Sequence, residues 1–131
     1  MSSVVPERNE SELTGDVLVV LRHAPQGTSW LREGLDSALV AAAFGQRVSL
    51  LFLGDGVLAL LPNQTNGPLN QKGTQGLVEM LPLYDIDNVL VDKEALARRG
   101  LDEQTLLLPV RGIDSPAIAT IFHRHRLVLN F

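Results

Sequence analysis

Four short polar stretches, each placed directly after an apolar run, contain the residues best able to do chemistry. They are RHAPQG (residues 22–27), GDG (54–56), DKE (92–94) and PVRGIDS (109–115). In a parallel β-sheet, groups that bind or react collect at the carboxyl ends of the strands. If the apolar runs are such strands, a functional site should be sought in these four stretches.

Asp92 occupies the most informative of these positions, in the segment NVLVDKEALARRG. An apolar run ends at Val91, and a short charged helix follows and stops near Gly100. The Asp92 carboxylate could cap this helix by accepting hydrogen bonds from its first amides. It could also act in a site, or replace a different functional group. The local sequence leaves these three interpretations open.

Gly54, Asp55 and Gly56 form a second candidate, because a glycine-rich turn can present backbone amides to an anion and an aspartate can bind a metal ion. A Gly-Asp-Gly turn also forms without any such task, and short glycine motifs often occur by chance. We therefore favour a plain turn at residues 54–56.

The histidines and the remaining acids give weaker indications. His23 could serve as acid, base or ligand, but a hydrogen-bonded loop histidine is the favoured interpretation. The segment HRHR (residues 123–126) could hold a phosphate or an acidic partner, whereas cations near a helix end favour a solvated terminus. Asp85 and Asp87 are typical turn acids, with no histidine or further acid at ligand spacing.

Composition excludes several kinds of catalyst. The chain of 131 residues has no cysteine, which rules out disulfides, thiolate metal sites and a thiol nucleophile. No serine lies in a G-x-S-x-G nucleophile motif, although the chain contains Ser29, Ser37, Ser49 and Ser115. We therefore predict no catalytic residue, no cofactor and no metal site.

Charge and hydropathy indicate what the protein contacts. With 15 acids and 11 bases the formal net charge is -4, which works against autonomous nucleic-acid binding. The sequence has neither a signal peptide nor an apolar run long enough for a membrane span, so we expect a cytoplasmic protein. A hydrophobic content of 45% with a mean hydropathy of +0.13 indicates apolar surface left over for partners.

Hydrophobic spacing predicts the elements that position these residues. The predicted strands are Val17–Leu21, Val48–Leu53, Asn88–Val91, a strand ending at Leu108, and Leu127–Phe131. The predicted helices run from the cap Thr28 or Ser29 to Gly45, from Thr74 to Met80, from residue 93 to near Gly100, and from about Ser115 with Pro116 in the first turn. A turn and an irregular mobile loop are predicted over residues 57–71. This alternation predicts one three-layer α/β/α domain over residues 16–131, with a mostly parallel five-stranded sheet. Residues 1–15 are expected to form a flexible polar leader.

Longer motifs add a family resemblance. The stretches APQGTSWLREGLDSALVAA, LLFLGDGVLALLPNQ, LPLYDIDNVLVDKEALARRGL and HRHRLVLNF are similar to the TusC/DsrF family of the DsrE-like proteins. The order and spacing of REGLD, GDGVLALLPNQ and LYDI are fairly specific to this branch. The resemblance covers nearly all of the chain after the leader.

The resemblance implies a flavodoxin-like, DsrE-like α/β domain in a heterohexamer with TusB-like and TusD-like subunits, two copies of each. Such a complex relays sulfur as a persulfide from a TusA-type donor, through the TusD-like subunit, to a TusE-type acceptor. The sulfur is destined for 2-thiolation of the wobble uridine of tRNA. In the related Dsr system the analogous complex serves sulfur oxidation.

Within the family, the sulfur-carrying TusD-like branch has a cysteine at the strand-to-helix junction that matches Asp92. The resemblance therefore implies a noncatalytic structural subunit in which Gly54, Asp55, Gly56 and Asp92 have structural or interface roles. Three alternatives stay open. The chain could be a DsrF-like subunit of a DsrEFH-type complex, a stand-alone α/β module that binds a small anion at the strand ends, or, least favoured, a catalyst using Asp92, Asp55 or His23.

Overall fold

The computed structural model describes residues 13–26, 28–62 and 74–131. Within these ranges five β-strands alternate with α-helices and with 3-10 helical turns over Gly54–Leu60, Leu81–Tyr84 and Glu103–Thr105. The strands and α-helices, in chain order, are β1 (Gly15–Leu21), α1 (Trp30–Ala43), β2 (Val48–Phe52), α2 (Gln75–Met80), β3 (Asn88–Asp92), α3 (Lys93–Arg98), β4 (Arg111–Ile113), α4 (Ser115–His123) and β5 (His125–Asn130).

The five strands form one sheet in the order β4-β3-β2-β1-β5, and every neighbouring pair is parallel. The predicted parallel five-stranded sheet is confirmed. Because all strands run the same way, the sheet has one edge where the strands begin and one where they end. We name these the amino edge and the carboxyl edge.

The sheet is buried on both faces, which explains why its central strands are continuous apolar runs. Alternate residues of a strand point to opposite faces. Val19 and Leu50 belong to the larger core cluster, together with Leu35 of α1. Leu18 and Leu51 belong to a smaller cluster with Ile121 of α4. The predicted three-layer arrangement is therefore confirmed.

Helix α1 covers the larger core cluster with a stripe of apolar residues at helical spacing, Leu31, Leu35, Ala38 and Leu39. The helix ends as predicted before Gly45, whose φ of 86° is a left-handed conformation that glycine adopts without strain.

Two hydroxyl groups lie at the start of α1. The Thr28 hydroxyl accepts a hydrogen bond of 3.4 Å from the Trp30 amide. The Ser29 hydroxyl instead bonds the Glu33 carboxylate at 2.5 Å.

The predicted strand ending at Leu108 is wrong. Residues 103–105 form a 3-10 turn, residues 106–110 are not in a strand, and the fourth strand is β4, Arg111–Ile113. The three leucines 106–108 pack against the larger core cluster from outside the sheet, which explains the apolar run at this position. The Leu107 amide donates to the Leu60 carbonyl at 2.8 Å, which ties this segment to another turn.

Other boundaries shift by a few residues. Strand β5 begins at His125, two residues before the predicted start, and β1 begins at Gly15, inside the predicted leader. Most of that leader (residues 1–12) and most of the predicted irregular loop (residues 63–71) lie outside the described residues. In the described part of the chain, no helix is both long enough and apolar enough to cross a membrane.

Candidate functional site

The turn that follows β2 at the carboxyl edge needs both of its glycines for backbone reasons. Gly54 has a φ of 51°, in the left-handed region that favours glycine. A Cβ atom added to Gly56 would overlap the carbonyl oxygen of Leu21, so only glycine lets this turn approach the end of β1. Backbone conformation and packing are sufficient to explain both glycines of the Gly-Asp-Gly sequence.

Asp55 of this turn forms an ion pair with Arg99, with 2.6 Å between Oδ1 and Nη2. Arg99 follows α3, and its Nη1 also donates to the Ala95 carbonyl at 2.9 Å. The pair joins the turn after β2 to the helix after β3. The Asp55 carboxylate is thus engaged by a cation of the same chain.

Asp92 is the last residue of β3 and the N-cap of α3. Its Oδ1 accepts a hydrogen bond of 3.0 Å from the Glu94 amide, which satisfies one of the free N–H groups of the first turn. Asp114 caps α4 in the same way, accepting from the Ala117 amide at 3.1 Å. Both carboxylates at these strand-to-helix junctions serve as helix caps.

His23 lies after β1 on the same edge of the sheet, where it is exposed and stacks on Trp30, with 5.8 Å between ring centroids. Among the described residues, no hydrogen bond joins His23 to Asp55 or Asp92. The predicted site residues therefore occupy three neighbouring strand ends without forming one constellation. The described ranges also contain no group of three or more histidines and acids that could hold a metal ion.

Sequence reasoning missed a polar network at the amino edge. His125, which is 8% exposed, places Nδ1 2.7 Å from the Ile121 carbonyl and Nε2 2.8 Å from the Ser49 hydroxyl. Asn88 Nδ2 donates to the same hydroxyl at 2.7 Å. The carbonyl can only accept, so Nδ1 carries the proton. When the ring is neutral, the Ser49 hydroxyl donates to Nε2 and accepts from Asn88.

Burial is the main cause that lowers the pKa of His125, partly opposed by the hydrogen bond to Ile121, which raises it. Arg47 also lowers this pKa and Asp16 raises it. The lowered pKa favours the neutral form of the ring. The prediction of a solvated helix end at residues 123–126 is wrong for His125, although His123 and Arg126 are exposed.

Two signals could have revealed this network. Ser49 lies in the strand sequence VSLLF, where a polar residue in a buried apolar run needs a hydrogen-bond partner. Asn88 begins the next strand of the sheet and pairs in register with Ser49. An open cleft of about 470 Å³ lies beside these two residues, with Ala42, Gly45 and Tyr84 also in its wall.

Comparison with known proteins identifies the family. The family model described as DsrE/DsrF-like matches residues 15–131, which include every strand and helix of the sheet. The chain belongs to the DsrE/DsrF-like family. The resemblance to the TusC/DsrF branch that the motifs indicated is confirmed by the relatives described next.

Members of the DsrE/DsrF-like family named TusC are similar to this chain over most of their length. The Protein TusC homolog of Pseudomonas aeruginosa is 34% identical over 117 residues, covering 89% of this chain and 98% of the relative. The Protein TusC homolog of Aliivibrio fischeri is 38% identical over 99 residues, covering 76% and 84%. The Protein TusC of Klebsiella pneumoniae is 32% identical over 116 residues, covering 88% and 98%.

A solved structure shares the fold of this DsrE/DsrF-like chain. The crystal structure of the ychN protein from E. coli matches with a TM-score of 0.77 over 88% of this chain and 98% of that one. The two sequences are 23% identical, so this likeness supports the fold alone.

Proposed function

We propose that this chain is a noncatalytic structural subunit of a heterohexameric, TusBCD-type sulfur-relay complex. The complex would pass persulfide sulfur towards 2-thiolation of the wobble uridine of tRNA, in the cytoplasm. TusB-like and TusD-like chains would be its direct partners, with two copies of each subunit. A TusA-type donor and a TusE-type acceptor would meet the complex without needing contact with this chain.

The observation that carries the proposal is the state of Asp92. In persulfide transfer an acceptor thiolate attacks the outer sulfur of a donor persulfide, a new S–S bond forms, and the donor leaves as a thiolate. A carrier therefore needs a cysteine, and this chain has none. At the matching junction Asp92 caps α3 through the Glu94 amide. The Asp92 side chain at this junction caps the helix and cannot carry sulfur.

The carboxyl edge fits this assignment in its other residues as well. Asp55 is paired with Arg99, Asp114 caps α4, and a side chain at Gly56 would collide with β1. These contacts fix the turns and helices of a rigid scaffold. A subunit of this kind would contribute to the relay by holding the sulfur-carrying partner in position.

Assembly is the direct test. The chain is co-expressed with the TusB-like and TusD-like proteins of its own organism, and the complex is purified through a tag on the TusD-like protein. We expect this chain to co-purify and to elute with both partners in one peak on size-exclusion chromatography. A chain that elutes separately under these conditions contradicts the proposal.

A relay assay with the assembled complex tests the noncatalytic role. We expect Asp92→Asn to retain both assembly and sulfur transfer to the acceptor protein, because an asparagine oxygen can still cap the helix. Loss of sulfur transfer by an intact complex would assign a chemical role to the Asp92 carboxylate and refute the proposal.

Sulfur oxidation is the second candidate, because the matching family model includes DsrF-like proteins. The same scaffold would then belong to a DsrEFH-type complex. Deletion of the gene distinguishes the two candidates: loss of thiolated wobble uridine supports the tRNA role, whereas intact thiolation with impaired oxidation of reduced sulfur supports the other.

A further inference from the structure

Trp30 and His23 form an exposed aromatic stack at the carboxyl edge of the sheet. Their rings are nearly parallel, with 22° between the ring planes and 5.8 Å between the centroids. Trp30 is the only tryptophan of the chain, and it is 49% exposed. A large aromatic ring that is half in solvent offers a flat face on which another ring can stack.

Helix α1 positions Trp30 beyond the end of β1. The helix lies close against the strand ends at Gly34, where an added Cβ atom would overlap the Leu21 side chain and come within 3.0 Å of the Phe131 ring. Trp30 lies one turn before Gly34, and residues four apart share one side of a helix. Trp30 therefore lies on the side of α1 that faces the strand ends, where Arg22 continues the chain after β1.

Arg22 supplies a fixed positive charge directly before His23. Its Nε and Nη2 donate to Oδ1 of Asn130 at 3.3 and 3.2 Å. Asn130 is uncharged, and no acid of the described ranges forms an ion pair with Arg22. The contacts with Asn130 use the Nε side of the guanidinium, so the outer fork of Nη1 and Nη2 can hold a phosphate. We name Arg22, His23, Trp30 and Asn130 the carboxyl-edge platform.

The carboxyl-edge platform matches the chemistry of a nucleotide, which carries a flat base and an anionic phosphate. A base inside a double helix is covered on both faces, so only an unpaired nucleotide can stack on Trp30. Arg22 and Trp30 are both exposed, whereas free small ligands are bound in cavities that bury most of their surface. A nucleotide within a longer RNA does not need such burial, because its neighbours can make further contacts.

We infer that the carboxyl-edge platform is a contact site for an unpaired nucleotide of an RNA. The base stacks on the face of Trp30 opposite His23, and the phosphate accepts hydrogen bonds from Arg22. The net charge of -4 works against tight binding by the chain alone, so the contact is weak and salt-dependent. The inference goes beyond the proposed function and does not depend on the TusB-like and TusD-like partners.

Trp30 itself reports on the contact, because the chain has no other tryptophan. The full chain is titrated at low salt with an RNA hairpin that has an unpaired loop, with a blunt duplex of the same stem, and with a free mononucleotide. We expect the hairpin to quench the Trp30 fluorescence, and the duplex and the mononucleotide to have little effect at the same nucleotide concentration. Added salt should reverse the quenching.

Variants of the carboxyl-edge platform are compared by the fluorescence anisotropy of a labelled hairpin. Trp30→Ala should weaken binding by at least about fivefold, which is the usual effect of removing one stacked aromatic residue. Trp30→Phe should retain most of the affinity, because it keeps an aromatic ring. Arg22→Gln should weaken binding and lower the slope of log affinity against log salt concentration by about one.

The matched controls are Phe44→Ala and Arg126→Gln. Phe44 is an aromatic residue, 80% exposed, just past the opposite end of α1, and Arg126 is an exposed cation near the start of β5. Both lie at the amino edge, so both variants should bind the hairpin like the wild type. Melting temperatures of all variants should stay near that of the wild type, since the altered side chains are exposed.

Four results overturn the inference. The first is a hairpin that does not quench Trp30. The second is hairpin binding that Trp30→Ala and Arg22→Gln leave unchanged, which places the RNA on another surface. The third is equal binding of the duplex or of the mononucleotide. The fourth is release of the TusB-like or TusD-like chain from the co-expressed complex by Trp30→Ala, which assigns the platform to a subunit contact. Failure of co-purification with the wild type refutes the proposed function and leaves the RNA contact intact.

Discussion

The two edges of the sheet use their polar residues in different ways. At the carboxyl edge, Asp55, Asp92 and Asp114 are each engaged in a separate contact, one with a cation and two with helix amides. At the amino edge, Ser49, Asn88 and His125 come from three strands and share one hydrogen-bonded network. The polar residues of the carboxyl edge, where parallel sheets usually place functional groups, thus form separate caps and turns. The shared hydrogen-bonded network lies at the amino edge.

This difference shows that position in an α/β fold does not assign a role by itself. The general rule directs attention to the carboxyl edge, and the hydrogen bonds of each side chain then decide whether a group is available. Asp92 stands at a reactive position but is engaged as a cap. Ser49 lies 2.8 Å from a histidine nitrogen, yet it is 1% exposed and binds inside the sheet.

The largest effect should come from Gly56→Ala, because the added methyl group collides with the backbone of Leu21, which cannot rotate away as a side chain could. We expect a loss of about 3 kcal/mol in the free energy of unfolding, measured by denaturant titration. Gly76→Ala is the control, since a Cβ at Gly76 meets no atom within 4 Å and alanine favours the helix. A Gly56 variant as stable as the control would remove the packing explanation of the Gly-Asp-Gly turn.

Ser49→Ala tests whether the amino-edge network is structural. The change removes the hydroxyl that is hydrogen-bonded to both the buried Nε2 of His125 and the Asn88 side chain, and we expect it to cost about 2 kcal/mol. Ser37→Ala is the matched control, because the Ser37 hydroxyl bonds a carbonyl of its own helix at 2.9 Å and should cost under about 0.5 kcal/mol. Equal costs for the two variants would show that the amino-edge network adds no more stability than an ordinary hydroxyl hydrogen bond within a helix.

Asp92→Ala should have a smaller effect, about 1 kcal/mol, because it removes a single cap at a partly exposed helix start. Thermal denaturation of the wild type, Asp92→Ala and Asp92→Ser measures this cost, and serine should restore most of it. If serine fails to do so, the capping contact is not what the carboxylate contributes to stability.

The most subtle effect is a slope of stability with pH. The pKa of His125 is lowered in the folded protein, so the unfolded state takes up a proton first as the pH falls below about 6.5. Stability should therefore decrease as the pH falls through that value and level off below the folded pKa. His125→Asn should flatten the slope and His123→Asn, at an exposed position, should not. Equal slopes in both variants would place the titrating group elsewhere.

The sequence was sufficient to predict the parallel sheet. Continuous apolar runs indicate strands that are buried on both faces, and apolar residues at helical spacing indicate the helices that cover them. Helix starts were also readable where a cap or a proline marked them, as at Pro116 in the first turn of α4. The leucines 106–108 misled the prediction, since apolar residues that pack beside a sheet look like residues within it. A hydrophobic pattern indicates that a segment is buried. Whether that segment pairs as a strand depends on contacts with residues distant in sequence.

For the candidate site, the cap at Asp92 was predictable because its partner, the Glu94 amide, is close in sequence. The network of His125 was not, since Ser49 is 76 residues away and the contact depends on sheet order. The segment HRHR also concealed it. Four polar residues in a row suggest exposure to solvent. The chain changes from helix α4 to strand β5 within this segment, and His125 is buried as a result.

The strand order also determines when the protein can finish folding. Strand β1 lies between β2 and β5, and its partner residues in β5 follow it by about 110 positions, from Gly15 to His125. During synthesis, β1 to β4 can pair in sequence while one side of β1 remains without hydrogen-bond partners. Such distant pairing slows folding. Strand β5 must therefore emerge from the ribosome before the second side of the apolar strand β1 is protected from pairing with another chain.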